Sequence, residues 1–181
     1  MASQLNGYAL VPHNTYNVWR KYALTHGVNV DYAYGNQCWD ICALLWYQYG
    51  LRLQTGNGYA FGCWTLKRNV NAVPPFRQIR NLSDVRRGDV IVLNRSTFSN
   101  AGHICFADED YHGGSKLKVL GQNQGQGIGV GKASNIINMS MKNFLGAFRN
   151  IKWMAEPDPA PVSVRKSDFP WVLYANKLRN K

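Results

Sequence analysis

The sequence lacks several features that would assign it at once to a structural class. It has no apolar run of about eighteen residues that could span a bilayer. Its four cysteines form neither a CxxC pair nor a zinc-ribbon spacing, and no internal repeat is visible. The first residues, MASQLNGYALVPHN, lack the basic start and apolar block of a signal peptide. We therefore expect a protein that is made in a cytoplasm and has no membrane span.

Acidic residues are also scarce. Only 10 Asp and Glu oppose 21 Lys and Arg, which leaves a net charge of +11. Such an excess predicts attraction to a polyanion, whether a nucleic acid, an anionic membrane or a wall polymer that carries phosphates or carboxylates. The basic residues are scattered rather than gathered in runs, so a nucleic-acid-binding arm is not indicated. A solubilising surface is the simpler alternative.

The first half of the chain predicts helices. Its 181 residues suit one domain with a tail, and a hydrophobic content of 45% predicts that most of it folds. Residues 14–26 read as a helix capped by Asn14, with Val18, Tyr22 and Leu24 as its apolar positions and Gly27 at its end. Residues 38–49 are apolar nearly all round, which predicts a buried central helix that ends at Gly50. Residues 50–82 read as loops with one short helix.

The second half predicts antiparallel strands, because β-branched or alternating segments are separated by turn residues. The segments are RRGDVIVLN, HICFADED, KLKVLGQN and FLGAFRNIKWM, with a Gly-rich loop at 125–134 before the last one. Helices followed by antiparallel strands indicate an α+β fold. A Pro-rich linker, EPDPAP, begins at Glu156. We therefore expect a catalytic domain over 1–155, and a Pro-rich linker with a basic, aromatic tail over 156–181.

Cys38 lies in the stretch DYAYGNQCWDICA, where a Gly/Asn-rich turn meets the central helix. A thiol at a helix N-terminus has a lowered pKa, because unsatisfied N–H groups and the helix dipole favour the thiolate. Cys38 is therefore a candidate nucleophile, although a packed thiol or a metal half-site with Cys42 stays open. The other cysteines, Cys42, Cys63 and Cys105, are expected to be small buried residues.

A nucleophilic thiol needs a base and a group that orients that base. Among four histidines, His103 alone begins a predicted strand, and Gly102 before it permits close approach of another group. The next strand ends in Gln122-Asn123, whose amide oxygens can accept an imidazole N–H. Each feature also has an ordinary reading, since a histidine at a strand start is more often structural and Gln-Asn is common in turns.

The ordered motifs YGNQCWD, RRGDVIVL, GHICFAD and VLGQNQ resemble the CHAP family, the cysteine, histidine-dependent amidohydrolases/peptidases. The resemblance covers roughly residues 14–154. It implies a papain-like (CHAP/NlpC-like) fold, with N-terminal helices packed on a central antiparallel sheet, and cleavage of peptidoglycan. Many members are bacteriophage lysins.

The resemblance also implies roles for individual residues. Cys38 would be the nucleophile and His103 the general base. The family commonly has a Glu-Gln-Asn run on the following strand, but Gly121 stands where the Glu would be. Asn123 is therefore the first choice for the orienting residue and Gln122 the second. The Cys38 backbone N–H is a natural oxyanion donor, and the Gln37 side chain is a further candidate.

Oxygen-bearing residues around the cysteine suggest a cation site. Carboxylate and amide oxygens at alternate loop positions, with backbone carbonyls between them, can converge on Ca²⁺. The pattern resembles the calcium loop of some phage CHAP endolysins. It implies side-chain ligands from Asn29, Asp31 and Asp40 and carbonyl ligands from Ala33 and Gly35. The family usually has Asp where Asn29 stands, so a weaker site is expected. Alternatively, Asp31 caps a turn and Asp40 favours the helix N-terminus.

The resemblance implies a partner and a location as well. Bacterial peptidoglycan, of a Gram-positive wall, is the expected substrate, with virion tail proteins as further candidate partners and no organic cofactor. The protein would act from the host cytoplasm after holin-type release, or from the virion tail. A non-catalytic wall-binding or virion module, and a papain-like thiol peptidase that acts on other peptides, are the alternatives. Whether an amidase or an endopeptidase bond is cut stays open.

Overall fold

A computed structural model describes residues 15–66, 69, 76–97, 99–125 and 132–153. Helix α1 spans Tyr16–Thr25, α2 spans Cys38–Gln48 and the single-turn α3 spans Gly62–Thr65. The strands are β1 Phe76–Ile79, β2 Val90–Leu93, β3 His103–Ala107, β4 Lys116–Gly121, β5 Asn135–Ser140 and β6 Phe144–Asn150, and a short 3₁₀ turn spans Leu82–Asp84. The predicted domain division and the tail over 156–181 lie outside the described residues.

Within the described residues the strands form one antiparallel sheet in the order β1-β6-β2-β3-β4-β5. The helices α1 and α2 precede every strand, so the α+β prediction is confirmed. No helix in this described part of the chain has the length and apolar character that a bilayer crossing needs.

Helix α1 differs from its prediction at both ends. Its N-cap is Thr15, whose side-chain oxygen accepts the Val18 N–H at 3.2 Å, while the predicted cap, Asn14, lies outside the described residues. The helix ends at Thr25. Its buried face carries Trp19 and Ala23, and the predicted apolar position Val18 is exposed instead. Residues 19 and 23 lie one turn apart, so they share the face that meets the core.

Helix α2 agrees with the prediction of a central apolar helix. Every residue from Asp40 to Trp46 is buried, and Gly50 takes the left-handed conformation that ends the helix region, with φ of 69°. The helix packs on one face of the sheet, where alternate strand residues Val90, Val92, Ile104, Phe106, Leu120 and Phe148 join its core cluster. Alternation along each strand sends Ile91, Leu93, Cys105, Ala107, Val119 and Ala147 to a second cluster on the other face.

Two strands were absent from the sequence prediction. β1 falls in the stretch expected to be loops, and it pairs with β6, with Phe76 opposite Asn150. Its Phe76 ring stacks on Trp46 of α2 with a centroid separation of 3.7 Å. β5 follows the Gly-rich loop and pairs with β4 from Gly121–Asn135 to Lys116–Ser140. Both strands are defined by partners distant in sequence, and local patterns do not report such partners.

A buried ion pair ties the sheet to the loop before β2. Arg149 of β6 donates to both oxygens of Asp89, at 2.8 and 2.7 Å, and both side chains are almost fully buried. Arg149 also donates to the Asp84 carbonyl. Asp89 directly precedes β2, so this ion pair fixes the start of β2. β2 is the strand that lies beside β3.

Candidate active site

Cys38 is the first residue of α2, and the residues around it form a helix cap. Asp40 accepts the Gln37 backbone N–H at 2.7 Å, while the Asp40 N–H donates to the Gln37 carbonyl at 3.2 Å. This reciprocal arrangement satisfies donors at the helix start that would otherwise lack partners. The half-buried Cys38 sulfur therefore lies at the positive end of a well-formed helix.

His103 is the first residue of β3 and lies opposite Leu93 of β2. Gly102 before it has φ of 69°, a left-handed conformation that favours glycine. A Cβ atom at residue 102 would collide with the Leu93 carbonyl and lie 2.9 Å from the Phe61 Cβ. The close approach predicted for Gly102 is therefore a contact with the chain itself, and it sets the direction in which the chain enters β3.

Cys38 and His103 lie close enough for each to shift the pKa of the other. Burial of the Cys38 sulfur opposes its ionisation, but the charge of His103, the hydrogen bond from His103 and the Ile104 N–H outweigh it, so the pKa of Cys38 is lowered. Burial likewise opposes a charged His103, but the charge of Cys38 and the interactions of the ring with Cys105 and Cys38 raise the pKa of His103 well above its ordinary value. The two shifts together favour a thiolate–imidazolium pair.

Gln124, in the turn after β4, is the amide that contacts His103. Its Oε1 lies 2.9 Å from His103 Nε2. Its Nε2 donates to the carbonyls of Val119 and Asn135, at 3.3 and 3.0 Å. Because both of these partners accept, the amide nitrogen must face them and Oε1 must face the ring. The buried Gln124 therefore requires a proton on Nε2, which leaves Nδ1 as the ring nitrogen available to the sulfur.

The glycine at 121 makes room for this side chain. A Cβ atom at residue 121 would lie 2.8 Å from Gln124 Oε1 and 3.1 Å from the Cys105 Cβ. The position where the family's Glu was expected is therefore occupied by the carboxamide of Gln124, which folds back over Gly121. Asn123, with φ of 50°, makes the left-handed step that reverses the chain between them.

The two amides predicted to orient His103 have other partners. Gln122 is buried and accepts the Val28 N–H at 2.8 Å, while its own amide donates to the Val28 and Gln37 carbonyls at 2.8 and 3.0 Å. Asn123 donates to Gln37 Oε1 at 3.1 Å. Neither amide is hydrogen-bonded to His103 in the described part of the chain, and Gln124, which was not among the predicted residues, makes that contact instead. Gln122 and Asn123 instead tie the end of β4 to the chain segments before Cys38.

Gln37, the predicted oxyanion donor, has a constrained side chain. Its Nε2 donates to the Tyr34 carbonyl at 2.5 Å, and its Oε1 accepts from Asn123. One of its two amide hydrogens is therefore used within the loop. The Cys38 backbone N–H lies at the helix start, as predicted.

The predicted calcium residues lie in the loop that leads to α2, except Asp40, which lies in the first turn of that helix. Asp40 is fully buried and accepts the Val30 N–H at 2.8 Å, and Asp31 accepts the Ala33 N–H at 2.8 Å. Burial raises the pKa of Asp40 to about 7; hydrogen bonds from Val30 and Gln37 oppose the rise, and the charge of Asp31 adds to it. The two carboxylates are thus close enough to repel each other.

The backbone of this loop is compatible with a cation. Tyr32, Tyr34 and Gly35 all have positive φ, at 56°, 57° and 75°, so the chain around Ala33 turns tightly. Asn29 is half-buried at its start. Two repelling carboxylates and a tightly turned backbone fit a hard cation, which takes oxygen ligands. Across the ranges described, no three His, Cys, Asp or Glu side chains form a metal cluster, so any site here depends on amide and carbonyl oxygens.

The pKa values of Cys42 and Cys63 shift in the opposite direction to that of Cys38. Cys42, Cys63 and Cys105 are fully buried, as expected from the sequence. Burial raises the pKa of Cys42 and of Cys63. Two other histidines, His26 and His112, are exposed. The lowered pKa of Cys38 therefore contrasts with the raised pKa values of Cys42 and Cys63.

The fold is similar to those of two solved structures. The wild-type endolysin LysIME-EF1 matches with a TM-score of 0.57 and 25% identity, over 75% of this chain and 63% of that chain. Ly7917 matches with a TM-score of 0.50 and 16% identity, over 74% of this chain and 60% of that chain, and it supports the fold alone. No protein-family model and no curated protein matches the sequence.

Proposed function

We propose that the chain is a peptidoglycan hydrolase of the CHAP type, a lysin that cuts an amide bond of the wall peptide through Cys38. The observation that carries the proposal is the proximity of Cys38 and His103, each of which shifts the pKa of the other, with Gln124 Oε1 2.9 Å from His103 Nε2. A thiol of lowered pKa, a base and an orienting amide are the parts that nucleophilic acyl transfer requires. The similarity to LysIME-EF1, an endolysin by name, supports the same assignment.

In the proposed reaction, the thiolate of Cys38 attacks the carbonyl carbon of the scissile amide. A carbon–sulfur bond forms, and the carbonyl electrons move to oxygen. The Cys38 N–H and the remaining amide hydrogen of Gln37 are the donors proposed for that oxyanion. The oxyanion then collapses, the carbon–nitrogen bond breaks, and His103 gives its proton to the leaving amine.

Hydrolysis of the thioester returns the enzyme to its starting state. His103, now neutral, takes a proton from a water molecule, whose oxygen attacks the thioester carbon. The carbon–sulfur bond breaks, Cys38 leaves as thiolate, and a carboxylic acid is released. Gln124 accepts the Nε2 proton throughout, so the same ring nitrogen faces the sulfur in both halves of the reaction.

Calcium is proposed as a support for this geometry. Asn29, Asp31 and Asp40 would hold it through side chains, and Ala33 and Gly35 through carbonyls. A bound ion would neutralise the two repelling carboxylates and stiffen the loop. Because Asp40 also caps the helix that begins at Cys38, the loop and the nucleophile share one support.

The proposed setting is a phage infection. Peptidoglycan of a Gram-positive wall is the proposed partner, reached from the host cytoplasm after holin-type release or from a virion tail. The net charge of +11 would draw the protein to the phosphates and carboxylates of that wall.

The test is digestion of purified walls, with mass spectrometry of the fragments. The native chain should release fragments with new amine and carboxylate termini, and those termini identify the bond. Cys38→Ala should release none, while the matched variant Cys42→Ala, one helical turn away, should keep the activity. Fragment release by Cys38→Ala at the native rate would refute the thiol mechanism and favour a different catalytic group or a contaminating enzyme.

A further inference from the structure

Beside His103 lies a surface cluster that the proposed mechanism does not use. It consists of Tyr59, Phe61 and Arg95, and we refer to it as the Arg95 platform. The Tyr59 and Phe61 rings stack, with centroids 5.8 Å apart and planes 15° apart. The Arg95 guanidinium carbon lies 4.6 Å from the Phe61 centroid and 5.5 Å from that of Tyr59. Tyr59 and Arg95 are exposed.

Two connections place the platform next to the reacting pair. The Phe61 N–H donates to the Ala101 carbonyl at 3.2 Å, and Phe61 packs against Gly102, the residue before His103. Arg95 follows Leu93 by two residues, and Leu93 is the β2 partner of His103. Consecutive Cα atoms lie about 3.8 Å apart. Phe61 and Arg95 therefore belong to chain segments that pass within a few residues of His103.

The Arg95 guanidinium lies over both aromatic rings. An arginine that packs its flat face on aromatic rings keeps its N–H groups in the plane, directed away from the stack. Among the described residues, no carboxylate forms an ion pair with Arg95. The rings restrict the side chain in advance, which lowers the entropic cost of binding a partner.

We propose that the Arg95 platform is a substrate subsite that binds a carboxylate of the wall stem peptide and so positions the adjacent amide at Cys38. The inference rests on the proposed function and adds the residue that would read the substrate's charge. A carboxylate accepts two parallel N–H bonds from a guanidinium edge, and a lysine ammonium lacks that fork. Charge complementarity favours this occupant, because the platform presents a cation beside the base that acts on a peptide bond.

The test measures binding rather than cleavage, in the Cys38→Ala background, by calorimetry with a soluble stem peptide. Arg95→Ala should weaken binding about tenfold, the effect of losing a hydrogen bond to a charged group. Arg95→Lys should weaken binding nearly as much, because a lysine keeps the positive charge but cannot make two parallel N–H bonds to one carboxylate. Arg77→Ala removes an exposed arginine from the edge strand β1 and should leave binding unchanged. The same peptide with amidated carboxylates should bind all variants equally weakly.

Three outcomes would overturn the subsite. Unchanged binding by Arg95→Ala is the first, and an equal loss in Arg77→Ala, which would indicate net charge alone, is the second. The third comes from pelleting with purified walls: an Arg95 dependence that disappears once wall phosphate polymers are stripped would identify phosphate as the ligand. Thermal melts check that each variant folds, which the exposure of Arg95 favours.

Failure of the subsite and failure of the proposed function are separable in this design. If the native chain releases no wall fragments but peptide binding still depends on Arg95, the subsite stands and the hydrolase proposal falls. If walls are digested and Arg95→Ala digests them with the native KM, the hydrolase stands and the subsite falls.

Discussion

One buried polar side chain supports each member of the Cys38–His103 pair. Asp40 is the helix-side support, beside Cys38, and Gln124 is the strand-side support, beside His103. The two side chains differ in chemistry. On the helix side, Asp40 accepts N–H groups from Val30 and Gln37. On the strand side, Gln124 accepts from His103 and donates to two carbonyls. Asp40 is a carboxylic acid whose pKa burial raises to about 7, whereas a carboxamide does not titrate.

This difference separates what holds His103, the proposed base, from what holds Cys38, the proposed nucleophile. The tautomer of His103 is set by a neutral group, so it should not depend on pH or on cations. The loop before Cys38 depends on the Asp40 carboxylate, whose charged form is disfavoured by burial. A proton or a cation should therefore stabilise this loop. Elsewhere in the molecule the buried Asp89 has Arg149 as an internal cation. Among the described residues, Asp40 has no such partner.

The largest effect should come from removing the strand-side support. Gln124→Ala should lower kcat/KM on purified walls about 10- to 100-fold, because a hydrogen bond to the charged imidazole is worth roughly 1.5–3 kcal/mol. The matched control Gln78→Ala, on β1, should keep the native value.

Gln124→Glu sharpens the same comparison. The Val119 and Asn135 carbonyls accept hydrogen bonds, so a carboxylate facing them would be repelled and should not restore the rate. Full activity of Gln124→Glu would show that the amide nitrogen has no part in the orientation. Unchanged activity of Gln124→Ala would show that the contact with His103 is structural only.

The helix-side support should make folding stability depend on pH. The folded pKa of Asp40, about 7, lies above the ordinary aspartate value of 3.8, so the folded state holds the proton more tightly. Its contribution is complete below about pH 4 and is lost as pH rises to 7, by about 2–3 kcal/mol. The measurement is urea unfolding with a chelator present, as the difference between the native chain and Asp40→Asn at each pH. A difference that is flat from pH 4 to 7 would contradict the raised pKa.

Calcium should stabilise the same side by a smaller amount. At a free concentration tenfold above its dissociation constant, a bound ion should raise the free energy of unfolding at pH 7 by about 1.4 kcal/mol. Asp31→Asn should need more calcium for the same gain, whereas Asp110→Asn, an exposed carboxylate elsewhere, should respond like the native chain. Identical calcium titrations for the native chain and Asp31→Asn would remove Asp31 from the site.

The smallest effect concerns the pH profile of activity. Rates should fall at low pH as the Cys38 thiolate is protonated and at high pH as the His103 imidazolium loses its proton. The charge of Asp40 raises the pKa of Cys38 slightly, and Asp40 carries that charge near and above pH 7, so Asp40→Asn should move the part of the acid limb of kcat/KM that lies near pH 7 to lower pH. The alkaline limb should stay in place, because the strand-side support is untouched. A shift of both limbs together would mean that the two supports are coupled.

The positions of Cys38 and His103 followed from local patterns. A cysteine at the seam between a turn and an apolar helix lies at that helix's N-terminus wherever the helix packs, and α2 begins at Cys38 as predicted. A glycine before an apolar run marks a strand start in the same way, and β3 begins at His103. Patterns of this kind act within a few residues, so the sequence alone reports them.

The identity of the orienting amide, in contrast, was decided by tertiary structure. Three polar residues, Gln122, Asn123 and Gln124, follow β4, and spacing cannot say which reaches the imidazole. Gln124 reaches it because Asn123 turns the chain, Gly121 leaves a space and the Val119 and Asn135 carbonyls hold the amide nitrogen. Asn135 belongs to β5, which the sequence did not reveal. A side chain's direction depends on the groups packed around it, and those groups come together only when distant segments fold against one another.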